Sequence, residues 1–348
     1  MYKNIIRPLL FVFPPETIHR IVFFILSFFS KFPFFKTLVR RFFLYEKKEL
    51  EREVFGLRFN APVGLAAGFD KDAQLASFWE HLGFSFAEIG TLTPQAQPGN
   101  PRPRVFRLKK DKAIINRMGF NNRGVEAAIK KLKKRNKKTS FILGGNIGKN
   151  TSTPNAEANK DYAFCFEKLY PFADYLTINI SCPNIKNLRD LEDKDDLLDL
   201  LKILTEIRRK QKQYKPILLK ISPDIDQKTL DDTILAAQLA GIDGFVATNT
   251  TTDRSDLKAS FAEIRKIGNG GLSGKPLQKT STEIIRYIHD KTNGEMPIIG
   301  VGGILSVQDA LEKLEAGAVL LQIYSGFIYE GPGLVKRINQ AIYKKQIK

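Results

Sequence analysis

The run Pro297-Ile298-Ile299-Gly300-Val301-Gly302-Gly303 is short, β-rich and closed by glycines, and beyond one helical stretch Val319-Leu320-Leu321-Gln322-Ile323-Tyr324-Ser325 repeats the pattern. Two such runs joined by a helix make a βαβ unit, whose strands are parallel. Working outward, the same alternation recurs at 62–69, 84–91, 141–148, 175–181, 217–222 and 244–250, which makes eight runs in all. Eight units in succession predict a closed α/β structure, a (β/α)8 TIM barrel, rather than an open sheet. No Pro/Gly/Ser linker interrupts the series, so residues 46–348 are expected to form one barrel domain behind an N-terminal helical segment, 1–45.

The bulk properties permit this. The chain has 348 residues, 43% hydrophobic and 26% charged, which excludes collagenous, disordered and disulfide-scaffold classes. Its two cysteines, Cys165 and Cys182, cannot make a disulfide framework and fit a reducing compartment. A net charge of +18 invites a polyanion, either nucleic acid or an anionic lipid surface. One basic block, 128–138, reads as a solvated helix end that complements the helix dipole.

The other basic block is the N-terminus, where seven Lys or Arg meet a single Glu and eleven of the chain's 26 Phe. Ile18, Ile21, Val22, Ile25 and Phe29 recur at helical spacing, and after Pro33 so do Phe35, Leu38, Val39 and Phe42. Two short helices, a hairpin, are predicted. The apolar run 21–29 falls well short of the ~20 residues that span a bilayer. No small-residue cleavage site follows it, which argues against a signal peptide. With Lys36, Arg40 and Arg41 opposite an aromatic face, these helices suit insertion into the interface of an anionic membrane. The plainer alternative is a hairpin packed on its own barrel.

Polar residues sit where a barrel enzyme needs them. Lys71, Thr91, Asn146, Asn179, Lys220, Asn249 and Tyr324 end or follow a strand, on the face where the loops build an active site. Gly302-Gly303 and Tyr324-Ser325-Gly326, with Gly271-Leu272-Ser273-Gly274 before them, have the form of a barrel phosphate site made of backbone N–H groups. Lys71 and Lys220 could stabilise a reduced, anionic flavin and a carboxylate substrate. No metal is expected. His81, His289 and Trp79 carry no motif and read as packing or surface residues.

Six longer runs carry a resemblance: Gly64-Leu65-Ala66-Ala67-Gly68-Phe69-Asp70-Lys71, Ile115-Asn116-Arg117-Met118-Gly119-Phe120-Asn121-Asn122, Asn146-Ile147-Gly148-Lys149-Asn150, Asn179-Ile180-Ser181-Cys182-Pro183-Asn184, Ala247-Thr248-Asn249-Thr250-Thr251 and Ile299-Gly300-Val301-Gly302-Gly303. In this order they resemble the dihydroorotate dehydrogenases, from about Met1 to the end of the barrel. The resemblance implies oxidation of dihydroorotate to orotate with FMN, in pyrimidine synthesis. It implies that Ala67, Gly68, Lys71, Thr91, Asn146, Asn179, Lys220, Thr248, Gly274, Gly303, Tyr324 and Ser325 hold FMN. It further implies that Lys71, Asn116, Arg117, Met118, Gly119, Phe120, Asn179, Asn184, Asn249 and Thr250 contact the substrate. A carboxylate and a cyclic ureide suit a lysine and several amides.

By the same resemblance Cys182 is the base facing the flavin across the substrate. A thiol, with an ordinary pKa of about 8.5, can serve near neutral pH if its surroundings favour the thiolate. Cys165, in the helical stretch 162–169, reads instead as a small buried hydrophobe. Position 182 is also where the chain departs from the quinone-dependent class, which usually has serine there, whereas cysteine is usual in the soluble enzymes. Against that, Pro15-Glu16-Thr17-Ile18-His19-Arg20 and Pro101-Arg102-Pro103-Arg104-Val105-Phe106-Arg107-Leu108 resemble the membrane class, in which the extension forms a hydrophobic tunnel. That places His19 and Arg107 near a membrane quinone, and the protein peripherally on the cytoplasmic face of the cell membrane.

The rival readings are a soluble-type enzyme passing electrons to fumarate or NAD, an RNA-directed FMN barrel similar to tRNA-dihydrouridine synthase, and a membrane adaptor without catalysis. The barrel lacks a basic stripe interleaved with aromatics, so no nucleic acid partner is expected.

Overall fold

The computed structural model describes residues 1–135, 139–180 and 194–347. Cys182 and Asn184 lie outside the described residues, as do Lys137 and Lys138 of the basic block. The chain opens with α1 (Arg7–Val12), α2 (Pro15–Phe29) and α3 (Pro33–Phe43). Each has proline in its first turn, where the missing N–H costs nothing, and at α2 and α3 the ring also keeps the preceding residue, Pro14 or Phe32, in extended backbone. The two predicted helices are α2 and α3. The additional α1, with a single turn at Tyr2–Ile6 before it, is too short to show a period.

A hairpin of β1 (Arg52–Val54) and β2 (Leu57–Phe59) follows, turning through Phe55 and Gly56, both at positive φ. The chain then runs β3 (Val63–Leu65), β4 (Phe86–Leu92), β5 (Val105–Leu108), β6 (Ala113–Asn116), α4 (Val125–Leu132), β7 (Ile142–Ile147), α5 (Ala158–Leu169) and β8 (Tyr175–Asn179). After α6 (Lys194–Arg209) come β9 (Ile217–Ile221), α7 (Gln227–Ala240), β10 (Gly244–Ala247), α8 (Phe261–Ile267), β11 (Gly271–Gly274) and α9 (Gln278–Lys291). The last elements are β12 (Ile298–Val301), α10 (Val307–Glu315), β13 (Ala318–Ile323), α11 (Ser325–Glu330) and α12 (Gly333–Gln346).

Eight parallel strands close a barrel in the order β3-β4-β7-β8-β9-β10-β12-β13 and back to β3. These are the eight predicted runs. Aromatic and branched side chains fill the interior, with Phe59 of the hairpin edge-on to Phe86 at 5.2 Å near the N-terminal end. Tyr175 lies inside because Gly144 faces it: a Cβ there would stand 2.2 Å from the Tyr175 ring. At the other end, a three-stranded antiparallel sheet, β5-β6-β11, lies outside the barrel with its own small core of Leu108, Ile115, Ile267 and Leu272.

The N-terminal helices pack on that same end. Glu16 of α2 accepts from Arg104 at 2.7 Å and lies 3.2 Å from Arg102. Arg107 donates to the Phe13 carbonyl at 3.0 Å and covers the Phe11 ring at 4.3 Å. Tyr2 reaches the Ile328 carbonyl and Arg7 that of Tyr329. The opposite faces leave Ile21, Phe24, Ile25, Phe28, Phe34, Leu38 and Phe42 exposed. Among the described residues no single helix is long and apolar enough to cross a membrane, and Tyr2–Val12 meets Pro15–Phe29 at a bend of 115°.

Burial alone would raise the Glu16 carboxyl, but the bonded Arg104 and the nearby Arg102 outweigh it and hold the group below the usual carboxylate range. Its contribution is therefore present above that range and lost as pH falls through the lowered value. Glu16→Ala should release α2 at neutral pH, at a cost of about 2 kcal/mol because Arg104 is left buried without its charge partner. Limited proteolysis checks this: cleavage between α1 and α3 should quicken while the barrel fragment persists, and unchanged cleavage would show that Glu16 does not anchor the helices.

Candidate active site

The C-terminal strand ends converge on one cavity of about 970 Å³, its mouth included. Ala67, Gly68 and Lys71 follow β3, Thr91 belongs to β4, Asn179 ends β8 and Lys220 lies near the end of β9. Thr248, Asn249 and Thr250 follow β10, Gly303 follows β12, and Tyr324 and Ser325 follow β13. Asn116 enters from the end of β6, Met118, Gly119 and Phe120 from the loop after it, and Gly274 from β11.

A hydrogen-bond chain sets the amides beneath. Glu88, fully buried, accepts from Asn146 Nδ2 at 2.7 Å, Gln322 Nε2 at 2.8 Å, Thr177 Oγ1 at 3.1 Å and Tyr175 Oη at 3.3 Å. Asn146 Oδ1 then accepts from Thr91 Oγ1 at 2.5 Å, Thr91 Oγ1 accepts from Asn179 Nδ2 at 2.9 Å, and Asn179 Oδ1 accepts from Asn249 Nδ2 at 3.3 Å. Asn146 thus supports the cavity without lining it. Arg117 does not line it either. Its guanidinium donates to the carbonyls of Ile267, Asn269 and Pro103 and covers the Phe106 ring, bracing the sheet at the mouth.

Lys71 donates to the Gly68 carbonyl at 2.9 Å and sits 3.3 Å from Met118 Sδ. Burial pushes the Tyr324 phenol up to about 12, so it stays a neutral donor and acceptor. At the glycine-rich end, Gly303 has φ +71°, and a Cβ there would stand 2.3 Å from Gln278 Cα. Ser273 and Ser325 face each other at 2.8 Å beside it.

Gln322 is a cavity residue that sequence reading missed. With Nε2 on Glu88, its Oε1 is buried and unpartnered, an acceptor left for a ligand or a water. The sole sequence signal for it was a polar residue inside an apolar strand.

Of the two residues expected at a quinone, Arg107 is half-buried against α1 and holds the carbonyls of Phe11 and Phe13. His19 lies between Phe23, at 4.2 Å, and Phe69, at 5.3 Å, and Phe69 meets Tyr324 edge-on at 5.3 Å. An aromatic seam therefore links α2 to the cavity wall. Cys165 is fully buried in α5, and burial raises its thiol well above the usual value. Trp79 and His81 are buried, and Trp79 donates to Asp70 at 3.0 Å. Among the described residues no cluster of His, Cys, Asp or Glu is placed to hold a metal.

The family model "Dihydroorotate dehydrogenase" matches residues 49–345. The chain belongs to the dihydroorotate dehydrogenase family. It is 54% identical over 345 residues, 99% of both chains, to the dihydroorotate dehydrogenase (quinone) of Christiangramia forsetii. It is 45% identical to the enzyme of the same name from Nostoc punctiforme, over 99% of this chain and 94% of that one. A solved dihydroorotate dehydrogenase of Eimeria tenella, in complex with ferulenol, superposes with a TM-score of 0.85 at 34% identity, covering 95% of this chain and 91% of the other. This family match rules out the RNA-directed barrel and the adaptor.

Burial first, and then the Lys71 charge, lower the His19 pKa from 6.5 to about 4, although Glu16 and the Phe69 backbone pull the other way. The folded chain keeps this ring neutral while the unfolded chain protonates it. His19 therefore takes stability away as pH falls from about 6.5 towards 4. In an NMR titration the His19 ring signal should hold its neutral position down to pH 5; a midpoint near 6.5 in the folded protein would place the ring in solvent.

Proposed function

We propose that this chain oxidises dihydroorotate to orotate with FMN and passes the electrons to a membrane quinone, in pyrimidine biosynthesis. The observation that carries the reading is the convergence of Lys71, Lys220, Asn116, Asn179 and Asn249 on one barrel-end cavity, joined by aromatic contacts to an N-terminal helix with an exposed apolar face. The quinone acceptor is supported by the names of the relatives and by similarity over 99% of this chain, which takes in the N-terminal helices.

The cavity fits the cofactor. The positive-φ glycines Gly274 and Gly303, packed so closely on the backbone of Lys112 and Gln278 that no Cβ fits, line the cavity with bare main chain suited to a phosphate, with Ser325 beside them. Gln322 offers an unpartnered acceptor for a ring or ribityl donor. Ala67, Gly68, Thr91, Asn179, Lys220, Thr248 and Tyr324 would hold the rest, with Asn146 acting through Thr91 and Asn179. FMN, when bound, supplies a hydride acceptor that can release its electrons singly or in pairs.

The chain's own residues do the remainder. Lys71 answers the substrate carboxylate as a fixed cation, and Asn116, Asn179, Asn249 and Thr250, with Asn184 outside the described residues, match the ureide's donors and acceptors. Met118, Gly119 and Phe120 cover the ligand and exclude water, while Arg117 holds their loop in place. Cys182, also outside the described residues, takes the C5 proton as base while the C6 hydride leaves on the other face. His19 and Arg107 stand where α1 and α2 meet the barrel and would receive the quinone head. The exposed apolar faces, with Lys36, Arg40 and Arg41 nearby, would lie in an anionic membrane surface as a peripheral attachment. Residues 1–45 are then the membrane segment and 46–348 the catalytic domain.

Purified in mild detergent, the flavin should bleach with dihydroorotate under anaerobic conditions and recover quickly with a short-chain quinone but slowly with fumarate or NAD. Preference for fumarate or NAD would move the protein to the soluble type, and failure to bleach would remove the substrate assignment. Cys182→Ala should retain the flavin yet lose oxidation by roughly 10²-fold or more, as expected for removal of a general base. Cys182→Ser should shift the pH profile upward because a hydroxyl is the weaker acid; full activity in the alanine variant would exclude Cys182 from the proton transfer.

A further inference from the structure

Lys313, on α10, is fully buried although it lies behind the cavity rather than in it. Lysine is almost never buried without a reason, because removing an ammonium from water is costly. The ammonium donates to Ser281 Oγ at 2.8 Å, Thr282 Oγ1 at 3.1 Å and the Gln278 carbonyl at 3.5 Å, all in the first turns of α9. The charged groups around it are Asp309 and Glu312 on its own helix and Lys275. Both carboxylates already have partners: Asp309 takes Lys275 at 2.8 Å, and Glu312 takes Gln278 and Gln308.

The α9 turn that Lys313 grips is the surface on which the Gly302–Gly303 loop rests. Ser281 Oγ donates to the carbonyl of Val301, the residue before the loop. A Cβ on Gly302 would be 3.0 Å from Ser281 Cβ, and one on Gly303 would be 2.3 Å from Gln278 Cα, so loop and turn are in direct contact. At the far side of the loop, the Leu305 N–H donates to Asp309 Oδ2 at 2.9 Å. The loop is thus tied at both ends to residues of one buried polar cluster, and Lys313 is its one fully buried cation.

We propose that Lys313 is a positioning residue for the cofactor phosphate: through Ser281 and the first turn of α9 it holds the Gly302–Gly303 loop in its phosphate-binding form and adds a buried positive charge behind it. The proposal rests on the FMN reading above. A cation beneath a loop of backbone N–H groups favours a dianion, and its field is weakly screened because it is buried. Burial holds the ammonium at about 7, so an arriving phosphate also has a proton equilibrium to pull on.

The test compares FMN with riboflavin, which lacks only the phosphate, by flavin fluorescence on full-length protein stripped of cofactor. Wild type should bind FMN more tightly than riboflavin. Lys313→Met should weaken FMN by about tenfold and leave riboflavin unchanged, as expected for loss of one unit charge acting across a partly buried gap. Ser281→Ala should move the ratio the same way by less, and it carries the test with Lys313→Gln should Lys313→Met fail to fold. Equal weakening of both flavins, or no change in either, would overturn the role assigned to Lys313. Wild type that binds neither flavin, or both equally, would overturn the FMN-phosphate reading itself and the proposal with it.

Discussion

A carboxylate inside a barrel is the constraint from which the site follows. Glu88 is fully enclosed, and a buried carboxylate persists only where donors replace the lost water. Four side chains from three different strands supply them: Asn146, Thr177 with its neighbour-but-one Tyr175, and Gln322. Each amide that gives its N–H₂ to Glu88 must turn its carbonyl the other way. Asn146 therefore offers Oδ1 to Thr91 and Asn179, and Gln322 offers Oε1 to the cavity. The polarity of the cavity floor is set from below, before any ligand arrives.

That hierarchy explains what was legible in the sequence. The eight strands were legible because each is short, apolar and bounded by turn signals, and because the βαβ order admits few topologies. The strand-end residues followed from the rule that barrel loops at one face build the site. The sheet β5-β6-β11 was not, because its strands are four residues each of mixed polarity and β11 joins β6 across 155 positions, as Gly271 does with Asn116. Glu88 and Gln322 were hidden for a related reason: inward and outward positions alternate along a parallel strand buried on both faces, so polarity alone does not tell which side a residue takes. Cations show the same limit: Arg117, expected at the substrate, turns instead to backbone carbonyls, and the burial of Lys313 is not legible until its acceptors are known.

The N-terminus joins two readings that the sequence left as alternatives. One face of α2 packs, through Phe23 at 4% exposure and the Glu16–Arg104 pair, while the other leaves Phe24 at 75%. A helix that serves only as packing would cover the second face, and a helix that serves only a membrane would not bury a charged pair beneath the first. With both, the segment holds an exposed apolar surface at a fixed distance from the cavity wall.

The position of that segment bears on the departure at position 182. On the assignments proposed above, the base would act on the substrate, whereas the acceptor's route would run along α1, α2 and the Phe69–Tyr324 wall. The two cysteines are not interchangeable in this respect, for Cys165 is sealed in α5 with its thiol pushed up by burial. On that reading the identity of the base at position 182 need not constrain the N-terminal helices, nor the helices the base. The mixed signature is then coherent on physical grounds: acceptor choice would belong with the N-terminal helices, and the identity of the base would tune the proton transfer.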